Sequence, residues 1–354
     1  MSLSAMKSSR HGSVKGKIMF AKYYKGSFIF AFISVVITYF MAGGIAAAIQ
    51  TIILGMLEVS MSLDNAVVNA KVLETLDDKW RHRFLTWGML FAVFGVRVLF
   101  PILIVWGTSS LSFVQSVLLP FEDAKRYADT VTAAHVSIAG FGGTFLLMVF
   151  LSFFFDQEKE NHWIPGIEKV MQFLGKFTQN STVSTVVFAA ASVLWVGALL
   201  HEGEDFMYAA LFGGIAWIVV HLLGEFLEGR GTASAAKVGL GSFIYLNVLD
   251  ASFSFDGVVG AFAISNNIII IGLGLGMGAM FVRSMTIHMV DKGTLGELQY
   301  LEHGAFWSIG ILAGMMFANT IIEIPDIITG LSAVVVLTIA TIHSIIENRR
   351  NVSQ

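Results

Sequence analysis

Four carboxylates in two matching registers are the residues of this chain best placed to do chemistry. The first set reads Leu54-Gly-Met-Leu-Glu58-Val-Ser60-Met-Ser62-Leu-Asp64-Asn65-Ala-Val67, the second Leu246-Asn-Val-Leu-Asp250-Ala-Ser252-Phe-Ser254-Phe-Asp256-Gly257-Val-Val259. At an offset of 192 positions, Leu54, Leu57, Ser60, Ser62, Asp64 and Val67 meet identical residues, and Glu58 meets Asp250. Both sets lie in long apolar runs, where an ionised side chain is costly and by default marks an ion or substrate path. Carboxylates, the Asn65 amide, the hydroxyls of Ser60, Ser62, Ser252 and Ser254, and backbone carbonyls form a hard-oxygen ligand set. Such a set suits Mg²⁺, Ca²⁺ or Mn²⁺. Met56 and Met61 flank the first set; a thioether there would favour the softer Mn²⁺, although methionine is also a common core filler. A lone intramembrane Asp is sometimes a structural hydrogen-bonding residue, but four acids in two matching registers argue for function.

The spacing constrains how these groups act. On an unbroken helix, Glu58 and Asp64 would point about 120° apart and stand ~9 Å apart along the axis. Asp250 and Asp256 share that spacing. Either each motif feeds two separate polar patches, or the helix unwinds around 60–64 and 252–256. Unwound backbone at membrane depth is tolerated where it lines a cavity, and it frees carbonyls as ligands. The second arrangement is the preferred expectation.

Composition sets the frame that must position these residues. The 354-residue chain is 55% hydrophobic and 13% charged, with a mean hydropathy of +0.74, about half the charge share of a soluble domain. Cysteine is absent, which removes disulfides, thiolate metal sites and Cys catalysis. No Gly-rich phosphate loop, zinc-type Cys/His cluster or nucleic-acid motif occurs, and no soluble catalytic domain has room. The expected fold is all-α and polytopic, with ten spans near 27–43, 45–71, 84–107, 133–155, 182–200, 206–226, 237–264, 267–289, 301–319 and 326–346. With the N-terminus inside, 18 of the 22 Lys and Arg fall on the cytoplasmic side, against only Lys125 and Arg126 outside. By the positive-inside rule both termini are then cytoplasmic. The basic tail 1–26 and the tail 347–354 flank the membrane portion, and a cleaved leader is disfavoured.

The two acidic motifs fall five spans apart, so the copies cross the membrane in opposite directions. This predicts an inverted 5+5 repeat, 27–200 and 201–346, with the ion at the midplane between halves. Gly88 to Arg97 corresponds to Gly274 to Arg283, with Val-Arg closing both; His135 corresponds to His303, and His201 to His343. Arg97 and Arg283 are candidate counter-ions or gate residues, structural pairing being the plainer role. His135, His201, His221, His288, His303 and His343 read as interfacial or packing residues. His201, Glu202, Glu204 and Asp205 could gather cations at an exit, as could any solvated loop. Gly272, Gly274, Gly276 and Gly278 predict close helix packing. Residues 156–181 read as a cytoplasmic linker with a short amphipathic helix, and 108–132 as the one sizeable outer loop.

Glu58-x-x-Met-Ser-x-Asp64-Asn65 resembles the E-x-x-L-S-x-D-N motif of the TerC-type integral membrane proteins, and Asp250-x-x-Phe-Ser-Phe-Asp256 resembles the D-x-x-F-A-x-D-S of their second half. That family is named for tellurium resistance and is related to the LysE-type exporters. Phe253-Ser-Phe-Asp-Gly-Val-Val-Gly-Ala-Phe-Ala and Gln299-Tyr-Leu-Glu-His-Gly resemble a subgroup of unknown function. The resemblance implies efflux of metal ions, chiefly manganese, with Glu58, Asp64, Asn65, Asp250 and Asp256 as carriers. The chain departs from the pattern at Met61, where the family has Leu, and at Gly257, where it has Ser. The second change removes a hydroxyl ligand.

The function expected is therefore a secondary transporter exporting a divalent cation, Mn²⁺ before Ca²⁺ or Mg²⁺, from the inner cell membrane in exchange for protons, with no resident cofactor. Its partners would be the ion and the bilayer, without nucleic acid; a second copy or a membrane partner stays open. Two alternatives belong to other classes. An intramembrane aspartyl protease would use Asp64 and Asp256 as its dyad, although each Asp is escorted by a second acid. A LysE-type small-solute exporter would want an apolar pocket and a charge partner such as Arg97.

Overall fold

An apolar run buried in hydrocarbon must satisfy its own backbone N–H and C=O groups, and a helix does so within one segment. The computed structural model describes residues 3–88, 91, 95, 99–178, 180–200, 203–228 and 235–352. The side chains of 3–21, 100, 101, 104, 108, 224–238, 252–256, 259, 263, 326, 351 and 352 lie outside that description. Among the described residues every regular element is helical.

Helix α1 (Leu3–Met41) turns at Gly43 and Gly44 into α2 (Gly44–Met61). Those glycines hold φ values of 130° and 68°, which a side chain would resist. After Ser62 alone, α3 (Leu63–Thr75) begins. Helix α4 (Asp78–Arg83) is capped by Asp77, whose carboxylate accepts from the Trp80 amide. A π-helical stretch, Phe84–Gly88, follows, and the chain resumes in α5 (Phe100–Thr108). The expected outer loop is itself largely helical, as α6 (Phe113–Glu122) and α7 (Ala124–Ala133). It folds because α7 buries Tyr127 and Val131 in the core, Tyr127 packing edge-on against Phe262. Then come α8 (His135–Phe155), α9 (Pro165–Leu174), α10 (Ser181–Leu199) and α11 (Gly203–Glu228). The remainder comprises α12 (Ala235–Ile264), α13 (Ile268–Lys292), the single turn α14 (Thr294–Glu297), α15 (Leu301–Asn319) and α16 (Asp326–Val352).

Among the described residues, eight stretches are long and apolar enough to cross a membrane: 22–41, 44–61, 135–155, 181–199, 203–223, 268–292, 301–319 and 327–350. The chain is a multi-pass integral membrane protein. Of the two other expected spans, 84–107 falls partly outside the described residues. The stretch 237–264 lies within α12, whose 30 residues include both acids of the second motif.

Among the described residues, the two largest of four core clusters join the motif-bearing helices. In the larger, α8 packs against α11 and α15, and Phe145, Leu146 and Val149 meet Ile309, Leu312 and Met316. Val67 and Val68 of α3 and Leu249 of α12 belong to this same cluster, so the helices bearing the two motifs share one core. In the other, Leu54 of α2, Ile271 and Leu275 of α13 and Val258 and Ala261 of α12 pack with α7.

Candidate buried acidic site

The first motif interrupts its helix. Ser62 separates α2 from α3 with φ −111° and ψ 17°, yet the hydrogen bonds from the Ser62 amide to the Glu58 carbonyl (3.0 Å) and from the Ala66 amide to the Ser62 carbonyl (3.1 Å) persist. The expected unwinding over 60–64 is thus a kink at one residue. The expected unwinding over 252–256 does not occur: α12 runs through the second motif as continuous helix. The Ala-Ser-Phe-Ser-Phe sequence there contains no Gly or Pro to break it.

Glu58 is buried at the meeting of three helices. Its Oε1 accepts from the Ser62 hydroxyl at 2.8 Å. On the α13 side, a Cβ built on Gly278 would lie 2.5 Å from Glu58 Cβ, and one on Gly274 would lie 2.7 Å from Leu54 Cβ. Gly55 returns the contact, its own Cβ position blocked by Met277. Of the glycine row predicted to pack closely, Gly274 and Gly278 do so, and it is the acid-bearing helix that they admit. Toward α12, Glu58 Oε2 stands 3.3 Å from the Cβ position of Gly257. A carboxylate of the first motif therefore rests against the second motif's backbone.

A second link runs the other way. Asn69, on α3, donates its amide to Asp250 Oδ1 at 2.8 Å, and both residues are buried. Asp64, 1% exposed, accepts the Asn65 amide N–H on Oδ1 at 2.8 Å. Its Oδ2, with Asn65 Oδ1 and Asn69 Oδ1 along the same helix, is buried without a hydrogen-bond donor among the described residues, as is Asn247 Oδ1 on α12. All four leftover atoms around the motifs are oxygen acceptors. Among the described residues no three acids or histidines converge to hold a metal. The described carboxylates alone do not close a cation site there.

The remaining expected site residues are dispersed. The Ser60 hydroxyl turns back to the Leu57 carbonyl at 2.8 Å and lies against Gly330 of α16, away from Glu58. Met56 is 68% exposed and Met61 packs on Gly330. Arg283 donates Nε to the Leu85 carbonyl at 2.7 Å. The side chains of Ser252, Ser254 and Asp256, and all of Arg97, His201 and Glu202, lie outside the described residues.

The family model for DUF475, described as a protein of unknown function, matches residues 63–351, well over half of the chain. The chain belongs to the DUF475 family. No curated protein and no solved structure matches it. In this DUF475 protein Asp64, Asn65, Asn69, Asp250 and Asp256 fall within the matched region, while Glu58, Ser60 and Ser62 precede it.

The DUF475 chain also buries an acid that the sequence pattern does not single out. Glu168 of α9 is 1% exposed. It accepts from the Trp163 amide, His303 Nδ1 and Trp307 Nε1, each at 3.0 Å. Burial alone would raise its pKa, but the hydrogen bonds from His303 and Trp307 and the electrostatic pull of His303 hold it down at about 2. Trp163 extends the network by donating Nε1 to His343 Nδ1 at 2.9 Å. Nearby, the Lys159 ammonium sits 3.1 Å from the Phe153 ring centroid. Burial pulls its pKa down to about 8, against the opposing pull of Glu168, Glu302 and Asp156. The linker helix is thereby pinned to α15 and α16. His303, read from sequence as an interfacial or packing residue, is half of a buried pair. The available signal is a Glu inside an amphipathic helix whose Ile167, Val170 and Phe173 face outward.

Proposed function

We propose that this DUF475 protein is a secondary transporter that exports a divalent metal ion, chiefly Mn²⁺, in exchange for inward protons. The observation that carries the reading is the junction of the two motifs: Asp250 is held by Asn69 of the first motif's helix, among buried acceptors that lack donors. Buried oxygens in excess of N–H and O–H groups favour a cation, and hard oxygen ligands favour Mg²⁺, Ca²⁺ or Mn²⁺ over softer-ligand metals. The resemblance of both motifs to the TerC-type proteins supports efflux and selects manganese among these ions. The positive-inside asymmetry supports cytoplasmic termini in an inner cell membrane, and the five-span offset supports an inverted repeat.

Export of a +2 ion against an inside-negative potential costs ~4.6 kcal/mol per 100 mV. In this reading inward protons supply that energy, the carboxylates taking up H⁺ as the metal leaves. Sealed proteoliposomes with an internal metal-sensitive dye and an imposed proton gradient test it. Proton-linked Mn²⁺ movement by wild type, lost in both Asp64→Asn and Asp256→Asn, is the expected result. No flux of Mn²⁺, Ca²⁺ or Mg²⁺ in either direction overturns the reading and advances the aspartyl protease.

A further inference from the structure

We infer that Asn69, which belongs to neither acidic motif, is a ligand of the transported cation: its amide oxygen takes the ion while its N–H₂ group holds Asp250 in place. The inference rests on the transporter reading and names a part of that site. Asn69 is 0% exposed on α3, where its neighbours Ala66, Val67, Val68 and Ala70 are all buried and small or apolar. A residue needed there only for packing would be apolar, because a buried amide is costly unless both its ends are satisfied. Only one end is. Nδ2 donates to Asp250 Oδ1 at 2.8 Å, and Oδ1 is buried with no donor among the described residues.

The surroundings share this imbalance. Asn65 and Asn69 are four apart on α3, hence on one side of it, and both leave the amide oxygen without a donor. Asp64 Oδ2, one residue before Asn65, does the same, and Asn247 Oδ1 repeats it on α12, three residues before Asp250. Since no three acids or histidines converge among the described residues, a hard cation held here needs neutral oxygens to fill its shell. A divalent cation of this class accepts amide oxygens as well as carboxylates, and the number of charged ligands tunes how tightly it is held. A carrier must release its cargo, so amides in place of further acids suit transport.

The test is calorimetric titration of the purified full-length chain in detergent with MnCl₂, MgCl₂ and CaCl₂, alongside thermal unfolding without added metal. Asn69→Ala is expected to weaken Mn²⁺ binding at least about tenfold. Asn69→Asp, which restores an oxygen with added charge, is expected to bind but with the preference shifted toward Ca²⁺ and Mg²⁺. If Asn69 merely latches Asp250, or if an ordered water satisfies its oxygen, both variants unfold at lower temperature while Mn²⁺ affinity and ion ranking stay at wild-type values; that overturns the inference and leaves the transporter reading standing. Should Asn69→Ala fail to fold, Asn69→Asp decides alone, since unchanged affinity and ranking overturn the inference and a changed ranking supports it. Wild type that binds none of the three ions overturns the inference and the transporter reading together.

Discussion

Gly278 and Glu58 meet across the α13–α2 interface with no room between them for a methyl group: a Cβ on Gly278 would stand 2.5 Å from Glu58 Cβ and 2.6 Å from its Cγ. The glycine lets an acid-bearing helix approach closely, and the approach fixes where the carboxylate points. Gly278→Ala is expected to destabilise the protein by about 1–3 kcal/mol through overpacking and to reduce Mn²⁺ flux by moving Glu58. Gly314→Ala on α15, where an added Cβ meets open space, is the control. It should be neutral or stabilising by up to ~1 kcal/mol from helix propensity. Thermal unfolding in detergent and proteoliposome flux read both variants.

The two serines of the first motif are equivalent in the sequence pattern and different in the fold. Ser62 donates to Glu58 Oε1 at 2.8 Å, whereas Ser60 donates to the Leu57 carbonyl at 2.8 Å and lies against α16. Ser62→Ala removes a bond to a buried acid, a loss of roughly 1–3 kcal/mol, and should lower metal affinity. Ser60→Ala should leave affinity within about twofold, since the bond it removes is a local one to its own helix. Equal effects of the two substitutions in metal titration would contradict this assignment.

Glu168 makes stability depend on acid pH with a defined sign. Its folded pKa of about 2 lies below its ordinary 4.5. Its contribution is therefore complete above the unfolded value and lost as pH falls from about 5 through 2. Over that window it amounts to about 3 kcal/mol. Glu168→Gln should be less stable than wild type at pH 7 by a similar order. It should also show a flatter fall in unfolding temperature between pH 5 and 3, as followed by far-UV circular dichroism.

Much of this arrangement is legible in the amino-acid sequence itself. The apolar runs announce helices, the glycine row on α13 announces close packing, and the spacing of Glu58 and Asp64 announces a disturbance that the kink at Ser62 realises in part. Where sequence and fold part, the reasons are physical. The repeat implies that both motifs unwind alike, but α12 has no Gly or Pro between Asp250 and Asp256 to open its hydrogen-bond ladder. Asn69 carries no local signal, because its partner Asp250 lies 181 positions away, and only tertiary packing turns an ordinary polar residue into a bridge between motifs. Glu168 reads as the polar face of an interfacial helix. In the fold, Ile167, Val170 and Phe173 of that helix face outward while Glu168 faces the protein. The amphipathic pattern is thus correct, and the acid's role is hidden in long-range contacts to His303 and Trp307.

In the proposed carrier the two motifs build one ion site rather than two. Counting the Mn²⁺ ions bound per chain by equilibrium dialysis separates these cases, with wild type, Asp64→Asn, Asp250→Asn and the double variant side by side. One shared site predicts that each single variant loses the same ion and that the double variant loses nothing further. Two ions lost independently, one with each acid, would contradict it.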